Sequence, residues 1–184
     1  MNTSSLALLT PTSRGRRYDG PVSMARPTCR KPKLIFASAD AIAADVTLAS
    51  AEAKISFGFR QVGLAIDTGT SYLLPREVGV SKAKELVFTG ELLDAEEAGD
   101  LGLFNHVYPE DFEAEADAFV KQIATGPTVA LRTSKKLVDQ GTNQSLRDAQ
   151  DNEAAAQAAV FETHDHEEGA TAFMEGRDPE FEGR

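Results

Sequence analysis

The sequence predicts an α/β fold with few strands, gathered at about 45–60 and 103–108, and a helical second half. Three observations carry that reading. Ile55, Phe57 and Phe59 alternate with Ser56 and Gly58, the spacing of a half-buried strand. Two short apolar runs, at 45–49 and 103–108, have strand length and end at turn residues. From residue 81 onward, apolar residues recur at three- and four-residue intervals behind recognisable helix boundaries.

In chain order, residues 1–34 show no sustained period. They hold seven Lys/Arg and one Asp, a net of +6, and are rich in Ser, Thr and Pro. Three readings fit this bias: a disordered basic segment, a transit peptide, and a non-native stretch translated through a wrongly framed upstream region. The last ranks first, for a reason given below. The run Leu6–Leu9 is too short for a secretory signal and has no basic region before it.

Residues 35–44 start with small apolar residues at helical spacing. Asp45-Val46-Thr47-Leu48-Ala49 reads as a buried strand, and Ser50–Lys54 turns the chain into the next one. Ile55–Gly79 follows, with Asp67 its only acid between Arg60 and Arg76. Thr68-Gly69-Thr70-Ser71 reads as a turn and helix start, and Tyr72-Leu73-Leu74 as the first turn of a helix leading to Pro75 and Gly79. An acid between a strand exit and a helix entry can point into a pocket or cap the helix. Ser81 reads as an N-cap for a helix stopping at Thr89-Gly90. Asp94 with Glu97 forms a capping box. Leu103–Tyr108 reads as a strand closed by Pro109. Helices follow over 112–124, from Pro127 to about Gln140, and over 146–161. Asp165 with Glu168 reads as a second capping box. The domain reading is a basic segment 1–34, a core 35–108 and a helical region 109–184.

The whole chain carries −10, so residues 35–184 carry −16. Such a body argues against a basic nucleic-acid face. It suits a high-salt cytoplasm, and equally an ordinary acidic enzyme. A lone Cys29 excludes an internal disulfide framework and fits a reducing compartment, and no run approaches membrane-span length. The expected location is cytoplasmic, with no membrane or nucleic-acid partner.

Several candidate constellations have plain structural alternatives. His164 and His166 are spaced i, i+2, off a common helix face, so a solvated helix start outweighs a metal site and no metal is expected. His106, set by alternation on the face of Phe104, reads as structural. Lys135-Lys136 suit the phosphates of a ligand or an exposed helix face equally. Phe173 and Phe181 read first as core packing, then as contacts to a ligand ring or between copies of the chain.

Four segments, in order, resemble the enoyl-CoA hydratase/isomerase (crotonase) family. They are VTLASAEAKISFGF, VGLAIDTGTSYLLPREVG, ELVFTGELLDAEEAGDLGLFNHVYP and DHEEGATAFMEGRDPEFEGR, and the resemblance covers about Ala44–Arg184. It implies a spiral of ββα units, here incomplete, followed by C-terminal helices that build homotrimers or hexamers. It implies acyl-CoA thioester substrates, an enolate held by two backbone N–H groups, and a place in fatty acid metabolism. No cofactor is implied beyond the coenzyme A of the substrate.

Against the family pattern, Gln61 falls where hydratases carry their second glutamate, and Ala39 about where they carry the first. An amide and a methyl cannot activate water. Asp67 falls where the double-bond isomerases, including the epoxyphenylacetyl-CoA type, have an aspartate, and is the expected acid/base residue. A dehalogenase-like role as nucleophile ranks lower. Gln61, Thr68 and Tyr72 are the expected substrate-binding residues, Tyr72 lining the acyl pocket or buried in packing. The glycine-rich oxyanion segment should fall near Leu34–Ala39, which reads LIFASA without glycine. The expectation is a C-terminal part of an isomerase whose N-terminal half is missing or scrambled. Two alternatives stand beside it: an inactive, truncated remnant that keeps oligomerisation or weak thioester binding, and a chain completed by partner subunits.

Overall fold

A computed structural model of the chain describes residues 24–25 and 41–184. The readings of the basic segment 1–34 and of Leu34–Ala39 otherwise fall outside the described residues. The described chain forms two compact units, the first ending at Asp117 and the second beginning at Ala118.

The first unit is mixed α/β. Its short strand β1 (Met24–Ala25) pairs in parallel with β2 (Val46–Ser50). β3 (Lys54–Ser56) leads into a 3-10 turn, Gly58–Val62, and then helices α1 (Thr70–Val78) and α2 (Val80–Thr89). β4 (Leu92–Asp94), α3 (Ala95–Asp100) and β5 (His106–Tyr108) complete the α/β part. β5 lies parallel to β2 on the side away from β1, giving the order β1-β2-β5. β3 and β4 make a separate antiparallel pair with Ile55 opposite Leu93.

Thr47, Leu48 and Ala49 are all buried, as expected of a strand covered on both faces in a parallel sheet. Asn105 extends the β2–β5 pairing by one residue: its N–H donates to the Thr47 carbonyl at 2.9 Å, and its Oδ1 accepts from the Thr47 N–H at 2.7 Å. Ile55, Phe57, Leu74, Leu86, Leu93 and Phe104 fill the core below.

Three boundaries differ from the sequence reading. The strand through Phe59 stops at Ser56, because its partner β4 begins opposite at Leu92; Phe57 stays buried but enters the 3-10 turn. The strand read from Leu103 starts at His106. Leu103 is still closing α3, its N–H donating to the Ala98 carbonyl at 2.9 Å. His106 therefore does not continue an alternation with Phe104; it is exposed and stacks on Tyr108, centroids 6.0 Å apart, while Phe104 is buried. Ser81 is no cap: Gly79 ends α1 and starts α2 at once, at φ 79° and ψ 158°. The Asp94–Glu97 capping box forms as read.

α4 (Phe112–Ala124) straddles the unit boundary. The second unit holds α5 (Thr128–Gly141), α6 (Leu146–Phe161) and α7 (His164–Glu175). Ser145 caps α6 through its hydroxyl. α7 is capped by Thr163, whose hydroxyl accepts from the His166 N–H at 3.2 Å, so Asp165 is not the cap and makes no capping box with Glu168. Phe173 is 88% exposed, contrary to the core reading, whereas Phe181 is partly buried. Among the described residues no helix is long and apolar enough to cross a membrane.

Glu168 is gripped by Arg177 through two N–H···O bonds, at 2.6 and 2.9 Å, and accepts the Glu180 N–H at 2.8 Å. The guanidinium first, and the amide second, hold its carboxyl down at about 2. A depressed carboxyl contributes stability that is present above its ordinary value of 4.5 and is lost as pH falls toward 2. The expected outcome is a melting-temperature gap between the native chain and Arg177→Gln that is constant above pH 4.5 and shrinks progressively below it. A gap independent of pH down to 2 would refute the assignment.

Candidate functional site

The candidate site lies in the first unit, on the segment from Phe57 to Tyr72. Phe57 is buried and anchors its start; Thr70 and Leu74, at 0% and 1% exposure, anchor its end in α1. The 3-10 turn closes at Gly63, which is left-handed at φ 72°, and the Leu64 N–H returns to the Phe59 carbonyl at 3.0 Å. Gly58 is buried and Phe59 half-buried after it; from 60 to 69 the chain is exposed, except half-buried Ile66.

Asp67 sits at the turn into α1. Its carbonyl accepts the Thr70 N–H at 2.9 Å, while Gly69, two residues on, is the N-cap and no side chain caps the helix. The capping alternative for Asp67 is therefore not what its carboxylate does. Oδ1 instead accepts the Thr68 hydroxyl at 2.7 Å, and both side chains are exposed. Thr68 is left-handed at φ 48°. For a β-branched residue that conformation costs about 1–3 kcal/mol and survives only where neighbours impose it. Here the Asp67–Thr70 turn on one side and left-handed Gly69 on the other impose it.

Gln61 is held elsewhere. Its Nε2 donates to the Gly90 carbonyl at 3.1 Å, and the buried Ser56 hydroxyl donates to the same oxygen at 3.1 Å. Arg60 Nη1 donates to the Thr89 carbonyl at 3.1 Å. Three side chains thus satisfy carbonyls that the end of α2 leaves open, and the Arg60 cation suits that negative helix end. Tyr72 is 48% exposed rather than packed away. The Arg76 guanidinium lies 3.4 Å from its ring centroid, and Arg76 Nη1 donates to the Tyr72 carbonyl at 2.8 Å.

Asp67 and Thr68 are therefore brought together, and no hydrogen bond joins Asp67 to Gln61 or Tyr72 among the described residues. Sequence reasoning missed Ser56, Arg60, Arg76 and the Gly90 carbonyl. The four-residue spacing of Tyr72 and Arg76 was a usable signal; the Gly90 acceptor, 29 residues from Gln61, left none. The exposed apolar side chains Val62 and Leu64 flank Gly63 on this segment. Chemically, the segment offers an accessible carboxylate fixed by a hydroxyl, able to take and return a proton, and an amide that can do neither.

Elsewhere, no group of three or more His, Cys, Asp or Glu suited to a metal occurs among the described residues. His164 Nδ1 lies 3.9 Å from Asp165, and His166 packs edge-on against Phe161 at 4.5 Å. Lys135 pairs with Asp139 one helical turn on, at 3.8 Å.

Residues 40–184 match the family model described as enoyl-CoA hydratase/isomerase. The chain is 32% identical over 166 residues to the trans-2-decenoyl-(acyl-carrier-protein) isomerase of Streptococcus mutans, covering 84% of this chain and 63% of that protein. It is 38% identical over 136 residues to a short-chain-enoyl-CoA hydratase of Clostridioides difficile, covering 72% of this chain and 86% of that protein. The crystal structure of an enoyl-CoA hydratase from Bacillus anthracis superposes with a TM-score of 0.77 at 30% identity, over 82% of this chain and 59% of that one. The chain spans between half and two thirds of the length of the first curated relatives it matches, 56% of one from Bacillus subtilis. The chain belongs to the enoyl-CoA hydratase/isomerase family, and its mixed α/β architecture is that of its crotonase-fold neighbours.

Gly90 tests how tightly the segment is held. It is left-handed at φ 61°, and an added Cβ would stand 3.2 Å from Gly58 Cα and 3.2 Å from Arg60 Cγ. Gly90→Ala is expected to lower stability by about 1–2 kcal/mol in urea unfolding, from the left-handed backbone alone. Gly141→Ala, at the open end of α5 with nothing within 4 Å, is expected to leave stability unchanged or raise it slightly. Equal effects of the two changes would refute the left-handed, crowded setting of Gly90.

Proposed function

We propose that this member of the enoyl-CoA hydratase/isomerase family acts on acyl-coenzyme A thioesters, moving a carbon–carbon double bond within the acyl chain rather than adding water across it. One observation carries the preference. Asp67 is the only carboxylate between Ser56 and Arg76, it is accessible, and a hydroxyl fixes it, while Gln61 stands with its amide already engaged at Gly90. The names of the relatives include hydratases and an isomerase alike, so the choice rests on these residues.

Hydration needs groups that both activate water and protonate carbon. A double-bond shift needs one base that changes partners. In a 3-enoyl thioester, the Asp67 carboxylate removes a proton from C2. The electron pair spreads through the double bond and the carbonyl, leaving the negative charge on the thioester oxygen as a dienolate. The same carboxyl, now protonated, returns the proton at C4, and the 2-enoyl thioester results. No atom is gained or lost, and the only coenzyme involved is that of the substrate.

Thr68 serves this step by holding Asp67 Oδ1, and Tyr72 with Val62 and Leu64 offers apolar surface to the acyl chain. Gln61 contributes a neutral, bonded amide that does not compete for the proton. A homotrimeric or hexameric assembly is part of the proposal. Val138, Leu146, Phe161, Phe173 and Met174 on the C-terminal helices are all more than half exposed, which supports a self-association surface there.

The test is spectrophotometric, following conjugation on addition of a 3-enoyl-CoA. Asp67→Asn is expected to lose about 10²–10⁴-fold in kcat, the usual weight of general acid–base catalysis, with Gln61→Ala far less affected. Undiminished turnover by Asp67→Asn, or hydration of a 2-enoyl-CoA that outpaces isomerisation, would overturn the proposal.

A further inference from the structure

The last eight residues form no helix or strand, yet their backbone is pinned. The Glu180 N–H donates to Glu168 Oε1 at 2.8 Å. The Glu182 N–H donates to Asp165 Oδ1 at 2.7 Å and the Gly183 N–H to Asp165 Oδ2 at 2.9 Å. The Asp165 N–H donates in return to the Arg184 carbonyl at 3.2 Å. Between these bonds the Phe181 ring lies against Gly169 of α7, where a Cβ would meet its edge at 3.4 Å. Gly183 reaches α5, where its Cβ position is 3.4 Å from the Thr128 side chain.

We propose that residues 179–184 are a strap that binds α7 to α5, fastened by backbone N–H groups to Asp165 and Glu168. Two further observations bear on it. Asp165 is 3% exposed, and a buried carboxylate is costly unless its oxygens are bonded. Both oxygens are bonded to the tail, with His164 only at 3.9 Å, so the tail is what makes burial of this charge tolerable. The helices it ties together have little else. In α5, α6 and α7 only Asp165 and Ala172 are fully buried. The strap therefore adds a polar fastening to helices whose larger apolar side chains, such as Leu131 and Leu137 of α5, are at most half-buried. The alternative office for Asp165, capping α7, is filled by Thr163.

The strap is a conformational device. Its release frees the tail amides, takes two hydrogen-bond donors from the Asp165 carboxylate and frees α5 from α7. Hydrogen exchange read by mass spectrometry tests it on the full chain, on Asp165→Asn, and on the chain ending at Asp178. Both changes are expected to speed exchange at least tenfold in peptides from α5 and α7, while peptides covering residues 46–108 keep the native rate. Unchanged α5 exchange in either variant overturns the proposal. So does a comparable rise across 46–108, because the tail would then act on the fold at large rather than as a local strap.

Discussion

The Gly90 carbonyl sits at the crossing of four elements of the first unit, and the placement of the candidate-site segment depends on its two hydrogen bonds. Ser56 at the end of β3 and Gln61 in the 3-10 turn both donate to it, and Gly90 itself joins α2 to β4. The close approach of Gly90 to Gly58 is what lets that oxygen reach both donors. A side chain on either glycine would push the turn outward, since Gly58 has equally little room beside Ser56 and Gln61. The turn in turn fixes where the chain departs toward Asp67. One carbonyl thus converts a sheet-and-helix core into a defined starting point for an exposed loop.

How much of this was legible follows from where the partners lie in sequence. α4 and α6 have the bounds read from the chain, because their signals are local: a period of three to four apolar positions and, for α6, Ser145 at the entry. The Asp94–Glu97 box was legible for the same reason, its partners being three residues apart. Asp165–Glu168 has the same spelling but another outcome. Thr163 took the cap, and tail amides 17 and 18 residues away took the carboxylate. The strand through Phe59 was over-read because alternation reports burial, and Phe57 is buried without being paired. In the candidate site, Asp67 and Thr68 were both singled out, but their mutual bond and the left-handed Thr68 backbone have no signature in residue type. The engagement of Gln61 at Gly90 was equally hidden.

The acidic surplus of the chain is also better understood from its bonds than from its sum. Glu97 and Asp94 accept each other's backbone N–H groups, Asp165 accepts two from the tail, and Glu168 accepts one together with Arg177. These carboxylates serve as structural acceptors at places where helix ends and irregular backbone leave donors open. Arg177 ties Glu168 down, whereas Asp165 meets a tail that brings it two amides. An acidic composition in this chain is therefore partly a means of satisfying backbone, and its surface charge alone overstates what is free to meet a partner.

The chemistry proposed for Asp67 has to be reconciled with its exposure. A carboxylate surrounded by water is a weak base, and a proton at C2 of a thioester is only weakly acidic. Two changes on binding would narrow that gap. An acyl chain laid along Val62, Leu64 and Tyr72 would remove apolar surface from water, a gain of about 25 cal/mol for each Å² covered. The same contact would displace water from the loop, and a carboxylate deprived of solvent takes up a proton more readily. The Thr68 bond fixes the carboxylate through Oδ1 and leaves the second oxygen, Oδ2, to point at carbon. Substrate binding would thus supply the desolvation that the free loop lacks. The demand for a single accessible base, rather than a preformed buried pair, is what a double-bond shift makes of a site and hydration does not.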